Sequence, residues 1–379
     1  YRPEYRHEWG QKTYYTQLRL APLGRAEAEE FLDVLMGVPV EASNYSPLHD
    51  LKQLILDKTQ GTPFFMEEVV QTLVEDGTLI GAPGQYQLTH HVLTLHLPST
   101  VQAILAARID RLAPDEKALL QQLSVIGREF PLSLLRQVIT QPEEELYRLL
   151  ASLQHKEFLY EQPAFPEVEY IFKHALTQEV AYGTVLQEHR KLLHERTGHA
   201  LEALYAATLP EHYSDLAHHY RRSANIEKAI AYLQLAGQQA VQRSAHMEAI
   251  SHLTAALELL KTLADTLNRA RQELELQVIL GPALIAAKGW ATPEVEKTYT
   301  RAQELCRQMG ETPQLFPVLF GLWSLYHVRS EHQTARELGE QLLNLARKAQ
   351  DLALRVEAHM ALGATLYCLG EFVSAREHA

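Results

Sequence analysis

The sequence predicts a mainly α-helical protein that ends in an α-solenoid of tetratricopeptide-like helical hairpins. Apolar residues recur at helical spacing through most of the chain, and Gly and Pro punctuate those stretches at intervals of about one helix. The last part also repeats itself at a shift of 40 residues. Under that shift "SEHQTARE" (Ser330 to Glu337) falls on "GEFVSARE" (Gly370 to Glu377), and Val295, Ala302, Leu305, Cys306 and Met309 fall on Ala335, Leu342, Leu345, Ala346 and Ala349. Two helices per unit, with small residues where they cross, describe a solenoid. The usual tetratricopeptide period is about 34 residues, so these units are a longer variety.

In chain order, "GRAEAEEFLDVLMG" sets Ala28, Phe31, Leu32 and Leu35 on one face of a short helix between Gly24 and Gly37. "SPLHDLKQLILDKTQG" repeats the design, with Ser46 as N-cap, Pro47 at the first helical position and Gly61 as the stop. Pro63 to Asp76 follows as a third helix, and the glycines and alternating apolar residues of "GTLIGAPGQYQLT" predict a small β-hairpin. Pro98 opens another helix, "PSTVQAILAARIDRL". From Pro114 the order is three helices ("PDEKALLQQLSVIG", "PLSLLRQVI", "PEEELYRLLASLQHKEF") and two strands ("FLYEQ", "EYIFKH"), the order of a winged helix. Beyond about Ala175 everything reads as helix, and "ANIEKAIAYLQLAG" (Ala224 to Gly237) has the flavour of the later repeats.

Composition narrows the function. The length of 379 residues exceeds one ordinary core, so two or three domains are expected, and 46% hydrophobic with 22% charged residues is a globular balance. A net charge of −12 opposes default binding to nucleic acid or an anionic membrane. Cys306 and Cys368 stand too far apart in sequence for a disulfide framework and fit a reducing compartment, so a cytoplasmic location is expected. The strongest apolar run, Val278 to Ala287, is half the roughly 20 residues of a membrane span. The chain opens "YRPEYRHEWG", with neither initiator Met nor signal-peptide pattern, and ends inside a repeat, so it reads as part of something larger.

Catalytic chemistry has no visible carrier. There is no GxxxxGK[ST] phosphate loop. The histidines of "HERTGH", His194 and His199, are five apart, which turns them about 140° from each other on a helix; a solvated face is the expectation for them, and no metal site is predicted. The adjacent pairs His90 with His91 and His218 with His219 point to different faces and read as surface or packing residues. In the winged-helix stretch the third helix starts with Glu143, Glu144 and Glu145 and carries only Arg148 and Lys156 as fixed cations, so phosphate would be repelled and DNA is not the expected partner.

The stretches "KTQGTPFFMEEVVQTLVEDGTLI", "LPSTVQAILAARIDRL", "EKALLQQLSVIGREF" and "YIFKHALTQEVAYGTVLQEHRKLLHERTGHALE" resemble the predicted ATPases of the AAA-related signal-transduction class (STAND), which often follow a class III adenylate or guanylate cyclase domain. The resemblance covers nearly the whole chain. It implies an AAA-type helical lid, a winged-helix domain and tetratricopeptide-like repeats after an ATPase core. On that basis 1–22 is expected to end the core, 23–112 to form the lid, 113–175 the winged helix, 176–265 a helical connector with the first hairpins, and 266–379 the repeats.

Two groups of site residues follow. Gly61, Thr62 and Pro63 match the family's GxP signature, whose proline packs beside adenine; read without the family they are a sharp helix-to-helix corner, with Gly61 as left-handed C-cap and Pro63 presetting the first turn. Arg2, in "YRPE", is the match to a sensor arginine that watches the γ-phosphate. In the repeats Trp323, Tyr326 and Tyr367 are candidate partner-binding aromatics, the competing reading being that they fill gaps between helices. The resemblance thus implies a regulatory and interaction portion that couples ATP or ADP in an upstream core to a protein effector on the solenoid, itself without catalysis or stable nucleotide binding. Two alternatives stay open: part of a cyclase or ATPase whose catalytic domain lies upstream, and a winged-helix transcription regulator.

Overall fold

The computed structural model describes residues 22–37, 47–89, 100–164, 167–310 and 313–378. Arg2, Ser46, His90, His91 and Pro98 lie outside the described residues. The chain divides into two compact units, one holding residues up to Phe130 together with Gln141–Val185, the other Pro131–Thr140 and everything from Leu186 onward.

The first unit begins with α1 (Arg25–Met36), α2 (Pro47–Thr59) and α3 (Pro63–Glu75), which bury Leu32, Met36, Leu51, Ile55, Met66 and Val69 in one core. Lys52 on α2 is buried and donates to Asp33 Oδ1 at 2.5 Å and to the Gly37 carbonyl at 2.6 Å, covering the otherwise orphaned end of α1. The predicted hairpin is present as β1 (Leu79–Ile80) and β2 (Gln87–Leu88), antiparallel with Leu79 opposite Leu88. Next, α4 (Val101–Asp110) is capped by Thr100, whose hydroxyl accepts from the Ala103 amide at 3.2 Å.

α5 (Pro114–Ile126), β3 (Glu129–Pro131), α6 (Leu132–Val138), α7 (Glu143–His155), β4 (Leu159–Gln162) and β5 (Glu169–Phe172) follow, with the strands ordered β3-β5-β4 and β4 antiparallel to β5. The strand β3 was not expected from the sequence; three residues are too few to show a period of two. The unit closes with α8 (Ala175–Thr184).

The second unit is an α-solenoid. α6 packs on α9 (Gln187–Leu204) rather than grouping with the first unit. A 3₁₀ turn (Leu209–His212) leads to α10 (Tyr213–Arg222), α11 (Ile226–Gln242), α12 (His246–Leu260), α13 (Leu267–Lys288), α14 (Pro293–Met309), α15 (Leu315–Val328), α16 (His332–Ala349), α17 (Leu352–Cys368) and α18 (Phe372–Glu377), each packed on its neighbour in sequence. Side chains of Asn225, Thr266 and Asp351 cap α11, α13 and α17. Most of the apolar positions matched by the 40-residue shift are buried: Val295, Ala335 and Ala375 all face the core, as do Ala302 with Leu342 and Cys306 with Ala346, whereas Ala349 is exposed. No helix among the described residues is long and apolar enough to cross a membrane.

Candidate functional site

Between α2 and α3 the backbone turns through Gln60 (φ 50°) and Gly61 (φ 73°), both left-handed, before Thr62 returns to extended backbone and Pro63 starts α3. The turn is closed by hydrogen bonds from Gln60 N to Leu56 O (2.9 Å) and Thr62 N to Thr59 O (3.0 Å). Gly61 is buried, and its carbonyl accepts from Leu23 N at 2.8 Å. A Cβ there would overlap the Leu23 carbonyl oxygen, so glycine is required for space as well as for φ. Pro63 is half-buried at the first helical position.

The helix that leaves this corner is gripped further along by charge. Arg108 on α4 and Glu68 on α3 are each 2% exposed and form an ion pair. Arg108 also donates to Glu75 Oε1 (2.7 Å) and to the Lys156 carbonyl just beyond α7 (3.0 Å), and its guanidinium lies 4.8 Å from the Phe158 ring centroid. Burial works against the charge on Arg108, but Glu75 and Glu68 hold it above its ordinary value, so it stays protonated. Burial lifts the Glu68 carboxyl above the usual carboxylate range in spite of Arg108. At the start of α3, Phe64 packs on His174, the residue before α8, with centroids 3.8 Å apart. α3 therefore touches elements that lie up to α8 along the chain. None of this was legible in the sequence, because "ARID" around Arg108 reads as an ordinary helix.

The third expected-helix cations are engaged within the protein. Arg148 donates to Glu145 (2.5 and 2.9 Å) and Lys156 to Glu116 (2.6 Å). The carboxyl of Glu116 faces burial, but Lys156, Ser152 and the Ala113 amide hold it below its usual value.

The three aromatics of the repeats part company. Trp323 is buried, with its Nε1 donating to Thr365 Oγ1 at 2.9 Å, so it joins α15 to α17 and fills the gap between them. Tyr326 is half-buried, and its hydroxyl donates to Glu296 (3.4 Å), which also takes Arg329 (2.6 Å). Tyr367 is 65% exposed, with Phe372 edge-on at 5.5 Å. The sequence reading missed a further buried ring: Tyr299 on α14 lies against Gly281 on α13 and Gly321 on α15, where a Cβ at either glycine would collide with it. Gly281 and Gly321 are themselves one 40-residue shift apart.

One expectation is overturned. His194 does not lie on a solvated face: it is 1% exposed, and its Nδ1 is 3.0 Å from Nδ1 of the buried His219. Only His199 of the "HERTGH" pair reaches solvent. The helical separation of the two was right, but α10 covers the side on which His194 points. Burial, with the charges of His218, Arg222 and Arg190, depresses His194 to about 3, and burial likewise pushes His219 well down.

No family model matches the chain. A protein of Rhizobium meliloti (strain 1021), described as uncharacterized, is 27% identical over an alignment 379 positions long that covers 97% of this chain and 35% of that protein. The chain thus spans about a third of the length of the curated relative it matches. Among solved structures it is similar to a Signal Transduction ATPase with Numerous Domains (STAND) protein with a tetratricopeptide repeat sensor from Pyrococcus horikoshii, at 14% identity and a TM-score of 0.34, over 94% of this chain and 59% of that one. A superposition that loose transfers no residue roles.

Proposed function

We propose that the chain is the regulatory and protein-interaction portion of a multidomain ATP-binding signal-transduction protein. In this reading residues 23–112 are the helical lid over an upstream ATPase core, 113–175 a winged-helix domain, and the solenoid holds a protein effector in the cytoplasm. ATP or ADP belongs to the complete protein, with Arg2, Gly61 and Pro63 at its edge and no stable nucleotide site in this chain alone.

The observation that carries the reading is the position of α3. A helix that responds to nucleotide must be fixed at the nucleotide end and coupled at the other, or its movement is lost in side-chain slack. Gly61 and Pro63 fix the start of α3, while Glu68 and Glu75 bind it through Arg108 to the Lys156 carbonyl. A shift of α3 therefore pulls on a buried charge rather than on a sliding apolar surface. For the effector, Tyr367 is the aromatic of the three left open to a partner, whereas Trp323 is occupied internally. The acidic first turn of α7 favours this over a DNA-reading role.

The test uses the complete protein. Pro63→Ala preserves the corner, because Gly61 retains the left-handed backbone, yet is expected to weaken ADP retention about tenfold, near 1.4 kcal/mol. Unchanged ADP affinity in that variant would return Gly61 and Pro63 to a purely structural corner.

A further inference from the structure

His327, His332 and Cys368 come together although 41 residues separate the first from the last. The topology explains it. α15, α16 and α17 run alternately up and down, so the last turn of α15, the first residue of α16 and the last residue of α17 share one end of the stack. The α15–α16 connection is tight: Ser330 adopts φ 63°, its amide reaches the His327 carbonyl at 3.1 Å, and Glu331 N reaches Tyr326 O at 2.9 Å. That turn brings the two imidazoles together across it, tilted at 58° with ring centroids 5.5 Å apart. One candidate ligand atom from each of the three residues lies within 4.8 Å of the others.

Ring packing alone is the obvious competing explanation, and the repeat provides an internal control. One 40-residue shift carries His327 and His332 onto Tyr367 and Phe372, whose rings also meet, edge-on with centroids 5.5 Å apart, across the equivalent turn. These two positions therefore favour rings. What distinguishes the earlier turn is that Nδ1 of His327 and Nδ1 of His332 are both shielded from solvent and make no hydrogen bond. An imidazole with an unsatisfied buried nitrogen is a poor choice for mere packing, since that atom gives up its water for nothing. A thiol lies beside the pair, and it is the exposed member of the three.

We infer that His327, His332 and Cys368 form a binding site for a soft or borderline transition-metal ion of the Zn²⁺ class. Two imidazoles and a thiolate are a donor set for Zn²⁺ or Cu⁺ and a poor one for Mg²⁺ or Ca²⁺. Metal–nitrogen bonds near 2.1 Å and a metal–sulfur bond near 2.3 Å call for ligand atoms about 3.5 Å apart, so the trio must close by roughly an ångström. Cys368, the exposed member of the trio, has room to rotate toward the two imidazoles. His327 is held for the purpose: Trp323, one helical turn earlier, stacks on it at 5.1 Å and is itself fixed to Thr365 on α17. The three side chains leave the fourth tetrahedral position facing solvent beside Cys368, open to water or to a ligand from a partner. A bound ion ties the α15–α16 hairpin to the end of α17.

Co²⁺ added to the metal-free full chain tests this. One equivalent is expected to give a near-ultraviolet thiolate-to-cobalt band, which Zn²⁺ then abolishes by displacement. Cys368→Ser, at an exposed position, is expected to keep the wild-type melting temperature in the absence of metal, lose the band and bind Zn²⁺ on the order of 100-fold more weakly. His332→Gln is expected to weaken Zn²⁺ to a similar degree, and His359→Gln, at another histidine of the solenoid, to leave it unchanged. The inference is overturned if no thiolate band forms, or if Cys368→Ser binds Zn²⁺ within about twofold of wild type, because the metal is then held by other histidines among the 19 in the chain.

Discussion

The joint at Arg108 and the socket around Tyr299 solve one problem by opposite physics. Each links helices that are not paired as a simple hairpin. In the first unit a guanidinium reaches α3, α4 and the end of α7 through directed bonds, and a single side chain carries the link. In the second, a tyrosine ring lies in the space left by Gly281 and Gly321, and the same arrangement of small against large continues where Gly237 meets Leu253 and Gly339 meets Leu362. The ionic joint is local and intolerant of losing a partner. The apolar socket is spread over a repeat and gives way by degrees.

Breaking the ionic joint is expected to have the largest effect. Arg108→Ala leaves Glu68 buried and unpaired, at a cost of about 3–5 kcal/mol, while Arg108→Met combined with Glu68→Leu recovers most of it. Hydrogen exchange of α3 and α4 amides reads the loss directly. If the single variant costs no more than the double one, the joint is not the concentrated link described above.

Acid sharpens the comparison from the other side. His194 and His219 are folded as neutral groups, His194 with a value of about 3 against an unfolded value near 6.5. Their contribution is complete above pH 6.5 and is lost as pH falls from there toward about 3, since the unfolded chain then binds the extra proton. About 2 kcal/mol from His194 alone is expected to have gone by pH 5. Trp290 and Trp323, both in the solenoid, report its melting temperature, and His194→Gln is expected to flatten the pH slope. Equal slopes in the two proteins would remove the pair from the account.

Gly321→Ala is the mildest break. The added methyl group meets carbons of the Tyr299 ring, and overpacking of this kind costs about 1–2 kcal/mol, relieved when Tyr299→Leu is introduced with it. A neutral Gly321→Ala would show that the ring has room to move, and that these glycines do not set the spacing of α13 and α15.

The sequence by itself determined the repeat and most of the elements, the short strand β3 excepted. Helix limits at Pro47, Pro63 and Pro114, the hairpin at Leu79 to Leu88, the strands around Leu159 and Tyr170 and the 40-residue period all follow from local rules, because Gly, Pro and hydrophobic spacing act within a few residues of where they stand. It also located the corner at Gly61, whose left-handed backbone a single residue type betrays. Only the tertiary structure decided which polar residues are buried. The ion pair of Arg108 with Glu68, the contact of His194 with His219, and the meeting of His327, His332 and Cys368 join residues 40, 25 and up to 41 positions apart. No period in the chain encodes such distances for side chains of these kinds. Whether a helical residue faces water or a neighbouring helix depends on how the helices stack, and that is settled by the sum of apolar burial over the whole unit.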